Sequence, residues 1–171
     1  MLLVFFSRAG ENYFNGGRKN LTVGNTAVVA RMIQDALRCE VYQIQPSEPY
    51  PDSYAETVSR NVREQEQRAR PGISQPLDSI DAYDTLLIGS PVWNVRVPRI
   101  MLTFVERFDF RGKTVYPFNT NAVSGLGNIV DDYSEGCRGA TIGEALAVRG
   151  EEADTSGPRV DDWLRQIGLL G

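Results

Sequence analysis

The sequence predicts an open, doubly wound α/β fold, in which a five-stranded parallel sheet lies between two layers of helices. Apolar or alternating runs of strand length are followed in turn by helical patterns along the whole chain. Right-handed crossovers lay such helices over both faces of a parallel sheet, which gives a three-layer α/β/α arrangement. A chain of 171 residues suits a single domain, 1–171, and is too short for a closed eight-fold barrel.

The chain opens with a strand and a helix that are separated by a long polar loop. The continuous apolar run LLVFF (2–6) is typical of a strand buried on both faces. Asn25 and Thr26 have N-cap chemistry, and apolar residues then recur every three or four positions, which predicts a helix over 26–38. Most folds would use a tight turn where this loop stands.

The remaining elements follow from the same two periodicities. EVYQIQ alternates like an edge strand before three prolines, whereas DTLLIGS and GKTVYPF are apolar runs of buried strands. Strands are predicted at 40–45, 84–90, 112–118 and 140–148. Helices are predicted at 53–70, 98–108, 127–137 and 158–170, the last with Pro158 in its first turn.

Charge and composition exclude several classes of partner. The net charge is −4, and the 18 basic residues are scattered along the chain. This argues against nucleic acid and against an anionic membrane as partners. The N-terminal run has no basic flank and is too short for a signal peptide or a membrane span, so we expect a cytoplasmic protein.

The chain also lacks the residues of most catalytic and metal sites. It has no histidine, which is the commonest metal ligand and general base. Cys39 and Cys137 have no CxxC spacing, so we expect two free thiols without a disulfide or a metal. Any chemistry is therefore expected to belong to a cofactor.

In doubly wound sheets, ligands bind at the carboxyl ends of the strands, where the strand order reverses. The loop after the first strand leads from Ser7 into the helix start at Asn25 and Thr26, where free N–H groups suit a phosphate. It contains neither GxxxxGK[ST] nor GxGxxG, and a plain surface loop with an N-cap is the alternative interpretation.

The loops after the third and fourth strands carry groups that suit a flat ring. Trp93 stands at a strand's carboxyl end and either stacks on a ligand or packs in the core. Thr120, Asn121 and Ser124 offer side-chain hydrogen bonds, and Gly125 frees backbone amides, for the edge of a heteroaromatic ring. A simple polar turn is the alternative for this second loop.

Taken together, these segments resemble the flavodoxin family, whose members bind FMN. LVFFSRAG and GNTAVVA resemble the two ends of the family's phosphate loop S-x-T-G-N-T. YDTLLIGSPVWNVRVPRIMLTFVE and GKTVYPFNTNAVSGLG resemble the segments around its third and fourth strands. The resemblance covers nearly the whole chain in the expected order, and it implies a strand order of 2-1-3-4-5.

The resemblance also implies a set of cofactor-binding residues. The phosphate turn corresponds to Ser7, Arg8, Ala9, Asn25 and Thr26, with Arg8 and Ala9 acting through the main chain. The ring would lie between Pro91, Val92, Trp93 and Asn94 on one side and Thr120, Asn121, Ser124 and Gly125 on the other. No catalytic side chain and no metal ligand is implied.

The chain departs from the family pattern in two places. Residues 11–24 are an insertion that splits the phosphate turn, and we expect it to be ordered and to pack beside the cofactor site through Tyr13 or Phe14. In addition, the loop after the fourth strand has no aromatic residue to cover the second face of the flavin. An open flavin face suits the exchange of hydride or electrons with a small molecule.

Three functions stay open at this point. The protein is an electron carrier that docks with redox partner proteins, or an FMN-dependent oxidoreductase that uses NAD(P)H and a quinone or similar small acceptor, or a related module that has lost FMN. In the second case Arg8 or Arg96 could meet the phosphates of the dinucleotide, whereas surface charge is the simpler interpretation of both. The oligomeric state, a homodimer included, is also open.

Overall fold

The computed structural model describes residues 1–171 and shows a parallel sheet between two helical layers. The strands are β1 (Leu2–Phe5), β2 (Gly10–Phe14), β3 (Gly17–Leu21), β4 (Glu40–Gln43), β5 (Gln45–Pro46), β6 (Ile73–Ser74), β7 (Thr85–Pro91), β8 (Thr114–Asn121), β9 (Thr141–Ile142) and β10 (Leu146–Arg149). The helices are α1 (Asn25–Leu37), α2 (Tyr54–Glu66), α3 (Arg99–Val105), α4 (Ile129–Gly136) and α5 (Gly157–Gln166), with a 3₁₀ turn at Gly150–Thr155.

The central sheet confirms the predicted topology. Its strands run in the order β10-β8-β7-β1-β4 and are all parallel, and β9 extends the β8 edge. In chain order of the five long strands this is 2-1-3-4-5, so the order reverses between β1 and β7. As predicted, β4 lies at an edge.

Each face of the sheet has its own apolar core. Leu3, Val29 and Trp163 belong to the core that α1 and α5 cover. Val4, Met101 and Tyr133 belong to the core that α3 and α4 cover on the opposite face. Neighbouring residues of β1 thus enter different cores, because successive side chains of a strand point to opposite faces. The carboxyl ends of the strands are left uncovered by this packing.

Two elements differ from the sequence-based expectation. The strand predicted at 140–148 is two strands, β9 and β10, which pair with opposite ends of β8. The interruption begins at Gly143, where an added Cβ would lie 2.3 Å from the ring of Tyr116. The predicted helix over 53–70 is shorter and ends at Glu66, because Arg68 adopts a left-handed φ of 49°.

The insertion at 11–24 forms a β-hairpin. Strands β2 and β3 pair from Gly10 with Leu21 to Phe14 with Gly17. The turn between them uses Asn15 at φ 46° and Gly16 at φ 81°, the conformation that favours Asn-Gly in two-residue hairpins. This dipeptide is the sequence signal from which the hairpin could have been predicted.

Two general expectations can be compared with the structure directly. Both cysteines are free thiols, and no group of three or more His, Cys, Asp or Glu side chains is placed to hold a metal ion. Among the helices, none has the length and apolarity needed to cross a bilayer.

Candidate functional site

A cleft lies at the carboxyl ends of β1, β7 and β8, where the strand order reverses. It encloses about 100 Å³. Its lining residues are Ser7, Arg8, Asn12, Tyr13, Asn25, Thr26, Tyr54, Pro91, Val92, Trp93, Thr120, Asn121, Ala122 and Gly150. We refer to this region as the phosphate cleft, for the chemistry of its floor.

The floor of the phosphate cleft is the start of α1. Gly24 is the N-cap residue and provides no side-chain cap, and the first turn contains no acidic residue. Ser7 Oγ accepts a hydrogen bond from the N–H of Ala27 at 3.1 Å. The N–H groups of Asn25 and Thr26 have no partner within the protein. Two donors at the positive end of a 13-residue helix therefore remain available to an anion.

Gly24 also brings the two halves of the split turn together. A Cβ at this position would lie 2.3 Å from Ser7 Oγ and 2.5 Å from the carbonyl oxygen of Arg8. Only a residue without a side chain permits this approach. The hairpin thus leaves and re-enters the turn at nearly the same point, and the helix start keeps its place beside β1.

The wall formed by the end of β8 is held by hydrogen bonds between buried side chains. Thr26 and Thr120 share a hydroxyl hydrogen bond of 2.7 Å, and both residues are buried. Asn121 Nδ2 donates to Asn119 Oδ1 at 3.1 Å and to the carbonyl of Val148 at 3.1 Å, while Asn121 Oδ1 accepts from the N–H of Gly125 at 3.1 Å. These hydrogen bonds therefore hold the loop after β8 in place against the end of the sheet.

The opposite wall is a tight turn after β7 that positions Trp93. The N–H of Val92 donates to the carbonyl of Thr120 at 3.0 Å, and Trp93 and Arg96 bond each other through their main chains. Asn94 and Val95 have φ values of 50° and 60°, and the left-handed conformation is strained for a β-branched residue such as Val95.

Trp93 packs against the core and also borders the phosphate cleft. Its ring packs edge-on against Tyr50 and Phe6, with centroid distances of 5.0 and 5.6 Å. It is nevertheless only half-buried and lines the phosphate cleft. The indole is thus anchored by the core and offers its remaining surface to the cleft.

The hairpin crosses the cleft and is fixed on both sides. Near its base, Glu11 Oε2 accepts from the N–H of Tyr54 at 3.1 Å. At its tip, the N–H of Asn15 donates to Glu151 Oε1 at 2.9 Å. Tyr13 lines the cleft, as the sequence predicts for one of the two aromatics, while Phe14 lies under the ammonium of Lys19 at 4.5 Å.

Both arginines considered for dinucleotide binding are engaged by protein groups. Arg8 donates to the carbonyls of Pro51, Glu11 and Asp52 at 3.0, 2.8 and 2.7 Å, and burial lowers the pKa of its guanidinium. Arg96 forms an ion pair of 2.5 Å with Asp132. Arg8 thus tethers the hairpin, and surface charge alone does not describe its role.

Most of the predicted binding residues lie together in the phosphate cleft. Four of them do not line it: Ala9, Asn94, Ser124 and Gly125. Ala9 is exposed beside the turn, and Gly125 joins the cleft wall only through its hydrogen bonds with Asn119 and Asn121. The assignment of all thirteen residues to the cofactor remains a prediction.

Several lining residues were not predicted from the sequence: Asn12, Tyr54, Ala122 and Gly150. Tyr54 begins α2, which follows a different strand, so no local pattern relates it to the cleft. Gly150 approaches Asn25 so closely that a Cβ would lie 2.5 Å from its Nδ2. Asn12 and Ala122 had a usable signal, since Asn12 stands next to the aromatic pair of the insertion and Ala122 lies within the predicted binding loop after the fourth strand.

Comparisons with known proteins identify the family of this chain. The sequence model of a protein family described as Flavodoxin matches residues 19–167 of this chain. Flavoproteins from Bacteroides uniformis and Bacteroides eggerthii are 29% and 28% identical, with TM-scores of 0.73 and 0.76. The alignments cover 96% and 97% of this chain and 96% of each relative.

A more distant structure shares the fold. A flavoprotein from Lactobacillus acidophilus, solved in complex with FMN, is 20% identical over 92% of this chain and 95% of its own, with a TM-score of 0.63. No curated protein matches the sequence. Because the family model covers most of the chain, the protein belongs to the flavodoxin family.

Proposed function

We propose that this member of the flavodoxin family binds FMN in the phosphate cleft and transfers electrons through the bound flavin. The observation that carries the proposal is the pair of free N–H groups of Asn25 and Thr26 at the start of α1. The FMN complex of the Lactobacillus acidophilus relative supports the choice of cofactor.

The residues present fit the phosphate of FMN. The free N–H groups, the dipole of α1 and the hydroxyl of Ser7 all favour an anion at one point. The first turn of α1 contains no carboxylate to oppose it. The phosphate would thus be held chiefly by the backbone, whose geometry Gly24 maintains.

The isoalloxazine ring needs more space than the phosphate cleft offers. Ligand pockets usually enclose about 300–1,000 Å³, whereas the cleft encloses about 100 Å³. The hairpin lies across the cleft and is held at its tip by one hydrogen bond to Glu151. We therefore infer that the hairpin moves aside when the ring enters between Trp93 and the loop after β8.

The protein and the cofactor have separate tasks in this function. Bound FMN supplies the chemistry, because flavins accept and release electrons. The N–H groups of Asn25 and Thr26 orient the phosphate, and Trp93 keeps water from one face of the site. The bonds of Asn121 hold the loop after β8 in position at the other side.

An FMN-dependent oxidoreductase acting on NAD(P)H and a quinone or similar small acceptor is the second candidate. The observation that favours it is the composition of the loop at 119–127, which has no aromatic side chain. The face of a ring bound there receives no aromatic cover from this loop, and a small reactant could approach that face. The electron carrier, by contrast, would exchange electrons with redox partner proteins.

We further propose that the protein works in the cytoplasm without nucleic acid or membrane partners. Two free cysteines are consistent with a reducing compartment. The scattered basic residues and the net charge of −4 support the exclusion of anionic polymers. Size-exclusion chromatography would decide between a monomer and a homodimer.

The visible spectrum of the purified protein tests flavin binding. We expect flavin bands, or their appearance on adding FMN to the protein without cofactor. If the protein shows no flavin bands and takes up no FMN, only the third possibility remains, a related module that has lost FMN. Anaerobic mixing with NADH or NADPH then separates the two redox functions: bleaching by the nucleotide alone supports the oxidoreductase, and reduction only by a partner flavoprotein supports the carrier.

A further inference from the structure

A groove rich in arginine lies between α2, α3 and α4, next to the Trp93 turn. It encloses about 610 Å³, within the range of ligand pockets. Five arginines line it: Arg68, Arg70, Arg96, Arg99 and Arg138. This arginine groove stands out in a chain whose net charge is −4.

The arginine groove has more positive than negative charge. Its three carboxylates belong to Glu106, Asp132 and Glu135, which leaves an excess of two positive charges (5 − 3). Arg70 pairs with Glu106 and Arg96 pairs with Asp132. The other three arginines form no ion pair within the protein.

Arg99 lies among charges of both signs. Burial lowers the pKa of its guanidinium, and the neighbouring Arg70 and Arg96 lower it further, whereas Glu106 and Asp132 raise it. Its Nε donates to the carbonyl of Ala69 at 3.1 Å, which holds the side chain in the groove. An anion bound between these arginines would relieve the repulsion.

A second cavity, the Trp93 pocket, lies between the hairpin, α2 and Trp93. It encloses about 320 Å³ and includes the apolar side chains of Val58 and Val62, which are otherwise exposed. Asn61 also lines it, and this residue is only 4% exposed. Asn61 Oδ1 is buried without a hydrogen-bond partner. Asn61 Nδ2 forms no hydrogen bond within the protein either and keeps some accessible surface, so a ligand carbonyl in the pocket could accept a bond from it.

The Trp93 pocket connects the arginine groove with the phosphate cleft. Asn94 lines both the pocket and the groove, while Trp93 and Tyr54 line both the pocket and the cleft. Gln65 fixes the junction, since its side chain donates to the carbonyl of Trp93 at 3.1 Å and accepts from Asn94 at 2.8 Å. A ligand with a flat ring and a pyrophosphate could occupy the pocket and the groove together.

We propose that the Trp93 pocket and the arginine groove together bind a nicotinamide dinucleotide. The ring lies beside Trp93 where the pocket opens into the phosphate cleft, with its carboxamide oxygen on Asn61 Nδ2, and the pyrophosphate lies on Arg68, Arg99 and Arg138. The choice of a nicotinamide ligand rests on the proposed flavin function, because such a ligand is an electron donor for a flavin. The phosphate part rests on the arginine groove alone.

ADP-ribose tests the arginine groove, because it carries the pyrophosphate without the nicotinamide ring. Calorimetric titration compares the unaltered protein with the double variant Arg68→Gln/Arg138→Gln, both with and without FMN. We expect the double variant to bind ADP-ribose at least tenfold more weakly. Arg31→Gln is the matched control, since Arg31 is an exposed arginine on α1 outside the groove. Equal affinities in all three proteins, or no binding at millimolar ADP-ribose, would overturn the proposal.

Asn61→Leu tests the Trp93 pocket. We expect it to weaken binding of NADH at least fivefold and to leave ADP-ribose binding unchanged, because only NADH has the carboxamide. A circular dichroism spectrum checks that the variant is folded. If NADH and ADP-ribose lose affinity equally, or if neither changes, the ring does not use Asn61 and the assignment of the pocket is wrong.

FMN titration of the same variants distinguishes a failure of the dinucleotide proposal from a failure of the proposed flavin function. None of the three variants alters a lining residue of the phosphate cleft, so each should bind FMN as the unaltered protein does. A protein that binds ADP-ribose through the arginines but never takes up FMN would contradict the flavin function alone. A protein that binds FMN but no dinucleotide would contradict the dinucleotide proposal alone.

Discussion

The phosphate cleft and the arginine groove both suit phosphates, but they do so with different groups. In the cleft the donors are N–H groups of Asn25 and Thr26, whose positions depend on the backbone. In the groove they are guanidinium groups on side chains, such as Arg68 and Arg138, that are exposed to solvent. Anion binding by backbone N–H groups therefore depends mainly on the shape of the main chain. Anion binding by exposed guanidinium groups depends mainly on charge and salt concentration.

The largest effect is expected from Asn25→Asp, which adds a charge to the cleft without changing its shape. A carboxylate about 4 Å from the phosphate costs about 4 kcal/mol per unit charge at an effective dielectric constant of about 20, so FMN affinity should fall about 1,000-fold. The same change should stabilise the protein without cofactor by about 0.3–1 kcal/mol, through the dipole of α1. Fluorescence titration and thermal unfolding measure the two effects.

Asn25→Asp should weaken FMN binding but stabilise the protein without cofactor. A merely structural role of Asn25 would not produce these two effects of opposite sign. Asn20→Asp is the control, because Asn20 is exposed on the hairpin and does not line the cleft. It should leave FMN affinity unchanged, and it should not stabilise the protein, because the new carboxylate lies opposite Glu11 on β2. If Asn25→Asp bound FMN normally, the phosphate would not lie at the start of α1.

Gly24→Ala tests the dependence of the cleft on backbone shape. The added methyl would lie 2.3 Å from Ser7 Oγ, so the two halves of the turn must separate. We expect a loss of about 1–3 kcal/mol in the free energy of unfolding, measured by chemical denaturation, together with weaker FMN binding. ADP-ribose binding in the arginine groove should not change.

Gly17→Ala is the matched control for this substitution. A Cβ at Gly17 meets only the carbonyl oxygen of Phe14, at 3.6 Å. It should be nearly neutral in stability and in FMN binding. Equal behaviour of the two variants would show that the approach at Gly24 has no importance for the cleft.

A change of salt concentration should alter ligand affinity at the two sites to different extents, and the effect should be smaller than that of the substitutions above. Raising the ionic strength from 0.05 to 0.3 M shortens the screening length to about 6 Å and should weaken ADP-ribose binding about tenfold. FMN binding should weaken less, about threefold, since N–H groups close to the phosphate are screened less. Titrations at the two salt concentrations measure both. Equal salt dependence would remove the distinction between backbone and side-chain donors.

Acidification should give the smallest effect, with opposite signs at the two sites. Burial raises the pKa of the Asp132 carboxyl, whereas the bond to Arg70 lowers the pKa of Glu106. As the pH falls, Asp132 therefore takes up a proton before Glu106, the groove becomes more positive, and ADP-ribose should bind more tightly. A phosphate monoester loses charge near pH 6, so FMN should bind more weakly.

Asp132→Asn checks the origin of the pH effect at the groove. The variant has no carboxyl to protonate, so its affinity for ADP-ribose should be nearly the same at pH 5 and pH 7. If the increase persists in the variant, it comes from another group and Asp132 is not its cause. Calorimetric titration at both pH values measures the difference.

The sequence by itself determined the fold and the floor of the cleft. Apolar runs such as LLVFF and the three- and four-residue spacing after Thr26 are local signals, because burial and hydrogen bonding within one element produce them. The order of the elements then placed Ser7, Trp93 and Asn121 at one edge of the sheet. The hairpin was within reach of the sequence too, since Asn15 and Gly16 are the residues that a two-residue hairpin turn prefers.

Only the tertiary structure decided which distant residues meet. Tyr54 and Gly150 enter the cleft from elements that follow other strands, and the arginine groove joins the ends of α2, α3 and α4. Similarly, the break between β9 and β10 depends on the contact of Gly143 with Tyr116. Such contacts depend on how whole elements pack together, and neither periodicity nor capping of one element contains that information.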